Sequence, residues 1–103
     1  MVTTWPVLTE AMCLLGDAGG WPAQQALWGM IEREALVLAE LQAADIARAR
    51  ALMEKYRHTP MDIADATLVA VAEARGLKRV FTLDSDFDVY RFRGREKFEL
   101  VPG

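Results

Sequence analysis

Met61-Asp62-Ile63-Ala64-Asp65-Ala66 and, after Gly76, Arg79-Val80-Phe81-Thr82-Leu83-Asp84-Ser85-Asp86-Phe87 place four carboxylates at two predictable edges of a helix and a strand. The first part reads as the start of a helix running to Arg75, with Thr59 as cap, Pro60 at the first helical position and Asp62 at the third. Gly76 ends it, and the β-branched and aromatic run 79–83 reads as a buried strand. Asp62 and Asp65 are three apart, so on a helix they share a face within one turn and can converge on one cation or water. Asp84 and Asp86 fall just past the strand, at the edge where open parallel sheets collect ligands. Early-turn carboxylates also suit a helix dipole, and Asp-x-Asp also forms turns. Two such pairs at neighbouring edges favour a metal site over these plainer roles.

Outward from that stretch, residues 2–4 read as a short strand. Residues 6–15 read as a helix with an apolar stripe of Val7, Leu8, Ala11, Leu14 and Leu15. Residues 17–20 read as a loop. A second helix opens at Trp21 or Pro22 and runs to about residue 33, residues 35–39 are strand-like, a long helix covers about 42–57, and residues 98–101 form a last strand. Strands alternating with helices predict a parallel sheet with crossovers, in a single domain spanning residues 1–103. Trp5, Trp21, Trp28 and Met30 are read as core or interface residues, and Trp28 with Leu27 and Ile31 could face a second copy.

The 103 residues suffice for one modest core. A hydrophobic share of 52% and a mean hydropathy of +0.07 are rich for so short a chain and suggest apolar surface left for a partner or for a missing segment. No apolar run approaches the roughly 20 residues that span a bilayer, and the N-terminus lacks a signal-peptide pattern, so a cytoplasmic location is expected. Cys13, the single cysteine, excludes a disulfide scaffold and reads as a small buried hydrophobe rather than a nucleophile. His58, the single histidine, reads as exposed or helix-terminal, and one Cys with one His excludes a zinc site. The net charge of −3 argues against a general nucleic-acid binder. Arg91, Arg93, Arg95 and Lys97 nevertheless lie together, beside Tyr90 and Phe92, as a rim gripping RNA would require; the plain alternative is a solvated loop.

Asp62-Ile-Ala-Asp65-Ala-Thr-Leu-Val-Ala, Val80-Phe-Thr-Leu-Asp84-Ser-Asp86-Phe87 and Val2-Thr-Thr-Trp-Pro-Val-Leu-Thr-Glu10-Ala together resemble the PIN domain, the nuclease fold of VapC-type toxins. The resemblance implies a three-layer α/β/α fold whose acidic residues hold Mg²⁺ or Mn²⁺ and cleave RNA phosphodiesters. It places Glu10, Asp65 and Asp84 as the catalytic and metal-holding carboxylates, with Asp62 and Asp86 as supporting metal ligands; whether Asp84 or Asp86 points inward stays open. Hard divalent cations prefer such oxygen donors, and a bound water can be activated to attack phosphorus. The resemblance also implies a first strand ending in aspartate before Val2, so that the domain reads as truncated at its N-terminus, with one metal ligand and one central strand fewer. A small antitoxin and a homodimer are the partners it implies.

Three readings follow. The chain is a metal-dependent ribonuclease of a toxin–antitoxin system, an inactive PIN-like module that binds a second copy or an antitoxin, or a fragment without a role of its own.

Overall fold

The structure, a computed structural model, describes residues 1–59 and 61–102, apart from the side chains of Ser85 and Asp86. Strand β1 (Val2–Thr4) leads directly into helix α1 (Trp5–Glu32), followed by β2 (Val37–Ala39), α2 (Ala43–Lys55), α3 (Ile63–Arg75) and β3 (Arg79–Phe81). A 3₁₀ turn (Ser85–Val89), a small hairpin of β4 (Arg91–Phe92) and β5 (Glu96–Lys97), and β6 (Glu99–Val101) complete the chain. The main sheet has the order β2-β1-β3-β6, and every pairing in it is parallel.

Alternation along the short strands divides the core into two layers. Val80 of β3 and Ala39 of β2 join α2 and α3, whereas Phe81 and Leu38, their neighbours in sequence, turn to Leu8, Ala11 and Leu27 of α1. Helices therefore cover both faces of the sheet, and the chain is a three-layer α/β/α domain as expected. Burial on both sides explains why β1 carries no charge. Its two threonines are satisfied internally: Thr3 Oγ1 donates to the Phe81 carbonyl at 3.2 Å, and the Thr4 and Thr67 hydroxyls lie 3.1 Å apart. Helix α3 is buried at every position from Ala64 to Ala72, and its small side chains let α2 and the sheet approach closely. It ends as expected at Gly76, which takes the left-handed conformation (φ 66°) while the Leu77 amide donates to the Ala72 carbonyl.

Several expectations are corrected. The loop at 17–20 shrinks to one residue: Gly20 alone leaves helical geometry (φ 67°, ψ −157°), two residues before Pro22. The chain doubles back there, since Gln24 Nε2 donates to the Met12 carbonyl at 3.0 Å, whereas twelve residues of straight helix span roughly 18 Å. Thr59 does not cap α3. Its amide donates to the Tyr56 carbonyl in the turn after α2, and Asp62 is the N-cap instead of the third helical residue; the expected role of Pro60 falls outside the described residues. Aspartate wins because Asp62 and Asp65 cap each other's amides reciprocally, with a charged acceptor in place of a hydroxyl. Cys13 is exposed, not buried, on the outer side of α1. Leu14 lies two turns beyond Val7 on the same side and is exposed as well. Trp5, Trp21 and Trp28 are 53%, 60% and 38% exposed, which removes them from the core and leaves them at the surface. His58 is exposed, as expected.

Candidate active site

Parallel order puts the C-terminal ends of β1 and β3 side by side, and the acidic residues gather at that edge. Glu10 stands in the second turn of α1, just past β1. Asp65 stands in the first turn of α3, and Asp84 three residues beyond β3. All three line one crevice, together with Val7, Ala11, Ala64, Thr82 and Leu83. Its free volume is about 10 Å³, the room of a single water or small cation. Asp84 is placed by its own turn, since its amide donates to the Thr82 hydroxyl oxygen at 3.1 Å and its carbonyl accepts from the Phe87 amide at 3.2 Å.

Asp65 is the most constrained of these groups. It is 3% exposed, its Oδ2 accepts from the Asp62 amide at 3.3 Å and from the Tyr90 hydroxyl at 3.2 Å, and its own amide donates to Asp62 Oδ1 at 2.9 Å. Burial pushes its carboxyl up to about 7, aided by the charges of Asp62 and Asp84 and opposed by the two accepted hydrogen bonds. Glu10 at the crevice mouth is raised as well, by lost hydration first and then by Asp62 and Asp84. The Tyr90 hydroxyl is raised by burial and by the neighbouring Asp65 charge. Four carboxylates thus feel one another at one sheet edge. Such mutual repulsion in a partly dry crevice is what a hard divalent cation relieves, and the donors are all oxygens. By chemistry the residues fit Mg²⁺ or Mn²⁺, although among the described residues no three of Asp, Glu, His or Cys stand close enough together to hold an ion. The Asp86 side chain lies outside the described residues.

The PIN domain family model matches residues 1–93. The chain belongs to the PIN domain family. PIN domains are nucleases that act on nucleic acid and generally depend on divalent metal ions, so the acidic edge lies in a domain of that chemistry. No curated relative matches the chain.

The basic residues of this PIN domain are arranged differently from a rim around the crevice. Arg91 donates to the Asp88 and Tyr90 carbonyls, and Lys97 pairs with Asp88 at 3.8 Å. Arg93 donates to the Glu73 carbonyl at 3.1 Å and lies over the Phe92 ring, and Arg95 is exposed in the hairpin turn. Glu73 is eight residues along α3 from Asp65, roughly 12 Å of helix rise, so Arg93 sits toward the opposite end of α3 from the crevice. Tyr90 and Phe92, the two aromatics beside these cations in sequence, do not share their surface: they are 0% and 5% exposed. Both belong to an aromatic core with Tyr56, Phe87 and Phe98. The Tyr90–Asp65 bond is the part of the site that sequence reasoning missed. Its one signal is the apolar spacing of Phe87, Tyr90 and Phe92, which marks an inward face beside a polar tip.

Proposed function

We propose that this PIN domain is a metal-dependent ribonuclease that cleaves RNA internally and serves as the toxin of a toxin–antitoxin system. The observation that carries the reading is that Glu10, Asp65 and Asp84, from three separated segments, line one crevice at the C-terminal edge of the parallel sheet. Glu10, Asp65 and Asp84 would hold Mg²⁺ or Mn²⁺, with Asp62 adjacent and Asp86 as a further ligand. The ion supplies Lewis acidity and an activated water at neutral pH. The chain's own part is to orient the carboxylates: the Asp62 amide and Tyr90 hydroxyl offset part of the burial that disfavours the charged form of Asp65, and the crevice walls of Val7, Ala11, Ala64 and Leu83 exclude bulk water. Arg91, Arg93, Arg95 and Lys97 offer phosphate contacts away from the cleaved bond. A cytoplasmic setting accords with an RNA substrate.

An apolar groove of about 560 Å³ between Pro6, Leu41, Ile46, Met53 and Ile63 supports an antitoxin partner, because it opens beside Asp62 and leaves Ile46 and Ile63 58% and 60% exposed. The exposed Trp21 and Trp28 on α1 support a homodimer. The same surfaces would serve the second reading, an inactive binding module, which the looseness of the acidic cluster favours. The deciding experiment is RNA cleavage by the folded chain with Mg²⁺ or Mn²⁺, against EDTA and against Asp65→Asn. Metal-dependent cleavage lost in the variant is the expected result; no cleavage from folded protein would leave the binding module.

A further inference from the structure

We propose that Tyr90 is a positioning residue for the acidic crevice: its buried hydroxyl, together with the Asp62 amide, holds Asp65 Oδ2 from the protein side, so that Oδ1 is the oxygen presented to a divalent cation. The inference rests on the metal-dependent reading above and deepens it. Among the described residues, the two donors to the Asp65 carboxylate, the Tyr90 hydroxyl at 3.2 Å and the Asp62 amide at 3.3 Å, reach the same oxygen. Asp65 itself lines the crevice, so a carboxylate fixed through Oδ2 has one oxygen left for a ligand. Without those donors the side chain is free to turn about its terminal torsion, which is broad and roughly two-fold. A hydrogen bond from outside the coordination sphere that fixes a ligating group in this way commonly governs metal affinity.

The Tyr90 ring is itself fixed by its surroundings. It is fully buried, meets Tyr56 of the turn after α2 edge-on at 5.1 Å and Phe87 at 5.2 Å, and Phe87 in turn meets Phe98 at 5.3 Å. Edge-to-face aromatic contacts at these separations fix ring orientation as well as position. The C-terminal segment that follows β3, which contributes Asp84 to the crevice, therefore also sets the geometry of Asp65 on a different element.

Tyr90→Phe tests this, because it keeps the ring and removes only the donor. With thermal unfolding confirming a folded protein, Mn²⁺ affinity measured by titration calorimetry is expected to fall roughly 10–100-fold. Cleavage at fixed Mn²⁺ should lose kcat to a similar degree while KM for RNA holds. In the Asp65→Asn background the same change should add no further loss of Mn²⁺ binding. Unchanged Mn²⁺ affinity in Tyr90→Phe, an equal loss in the Asp65→Asn background, or a drop in thermal midpoint large enough to explain the whole loss would overturn the role of Tyr90 while leaving the nuclease reading intact. Wild-type protein that neither binds Mn²⁺ nor cleaves RNA would overturn both.

Discussion

Asp65→Asn is expected to raise the stability of the metal-free protein at neutral pH while abolishing cleavage of RNA. In the fold the Asp65 carboxyl is carried from 3.8 to about 7, chiefly by burial. The folded state therefore holds a proton that the unfolded chain has released, and between those two values stability falls as pH rises. At roughly 1.4 kcal/mol for each tenfold change in proton affinity, ionising Asp65 in place costs on the order of 2–4 kcal/mol once pH exceeds 7. Asparagine avoids that cost. Its oxygen can take the position of Oδ2 and keep both the Asp62 amide and the Tyr90 hydroxyl, while its NH₂ faces neighbouring carboxylates. At about 4–8 °C per kcal/mol for a domain of this size, the variant should melt roughly 10 °C or more above wild type at pH 8, with the gap shrinking toward pH 4. The assay is a thermal melt of both proteins in EDTA from pH 4 to 8, repeated with Mg²⁺, which should stabilise wild type alone. A variant less stable than wild type at pH 8, or a difference that stays flat across the range, would refute the placement of Asp65 among buried like charges.

Three further outcomes check the framework around the site. Asp62→Ala removes the N-cap of α3 and should lower stability by about 1 kcal/mol in urea melts, with a loss of RNA cleavage smaller than that of Asp65→Asn. Leu68→Ala, at a fully buried position of α3, should cost about 2–5 kcal/mol by the same measurement without changing the pH dependence that Asp65 confers. Gly76→Ala places a side chain at φ 66°, and a urea midpoint lowered by the equivalent of about 1 kcal/mol is expected; an unchanged midpoint would mean that α3 ends otherwise.

Much of the architecture was legible because short-range physics and tertiary packing agree. The apolar runs at β1, β2 and β3 and the break at Gly76 are where the sequence places them. Glu10, Asp65 and Asp84 meet because strand-end positions in a parallel sheet share an edge. Other features depend on partners distant in sequence. Nothing in Asp17-Ala18-Gly19-Gly20 tells a loop from a helix broken at a single residue; the fold-back is stabilised by Gln24 reaching Met12. Thr59-Pro60 and Asp62 are both plausible helix starts by composition, and the reciprocal bond between Asp62 and Asp65 decides. Tyr90 beside four cations looks like a surface aromatic until Tyr56 and Phe87 are seen to pack against it. Trp5, Trp21 and Trp28 could be core or interface residues by size and apolarity, and their exposure along α1 leaves only the surface alternative.

The burial of α3 on all sides bears on how any mutational screen of this protein should be interpreted. From Ala64 to Ala72 nearly every larger residue would collide with the sheet or with α2, so substitutions there will silence the protein by preventing its assembly, whatever its chemistry. Only Asp65 within that run belongs to the acidic edge. A survey scored by loss of function alone would therefore draw a broad band of intolerance along the helix and hide the one position that reports on reactivity, unless the abundance of folded protein is measured for each variant alongside.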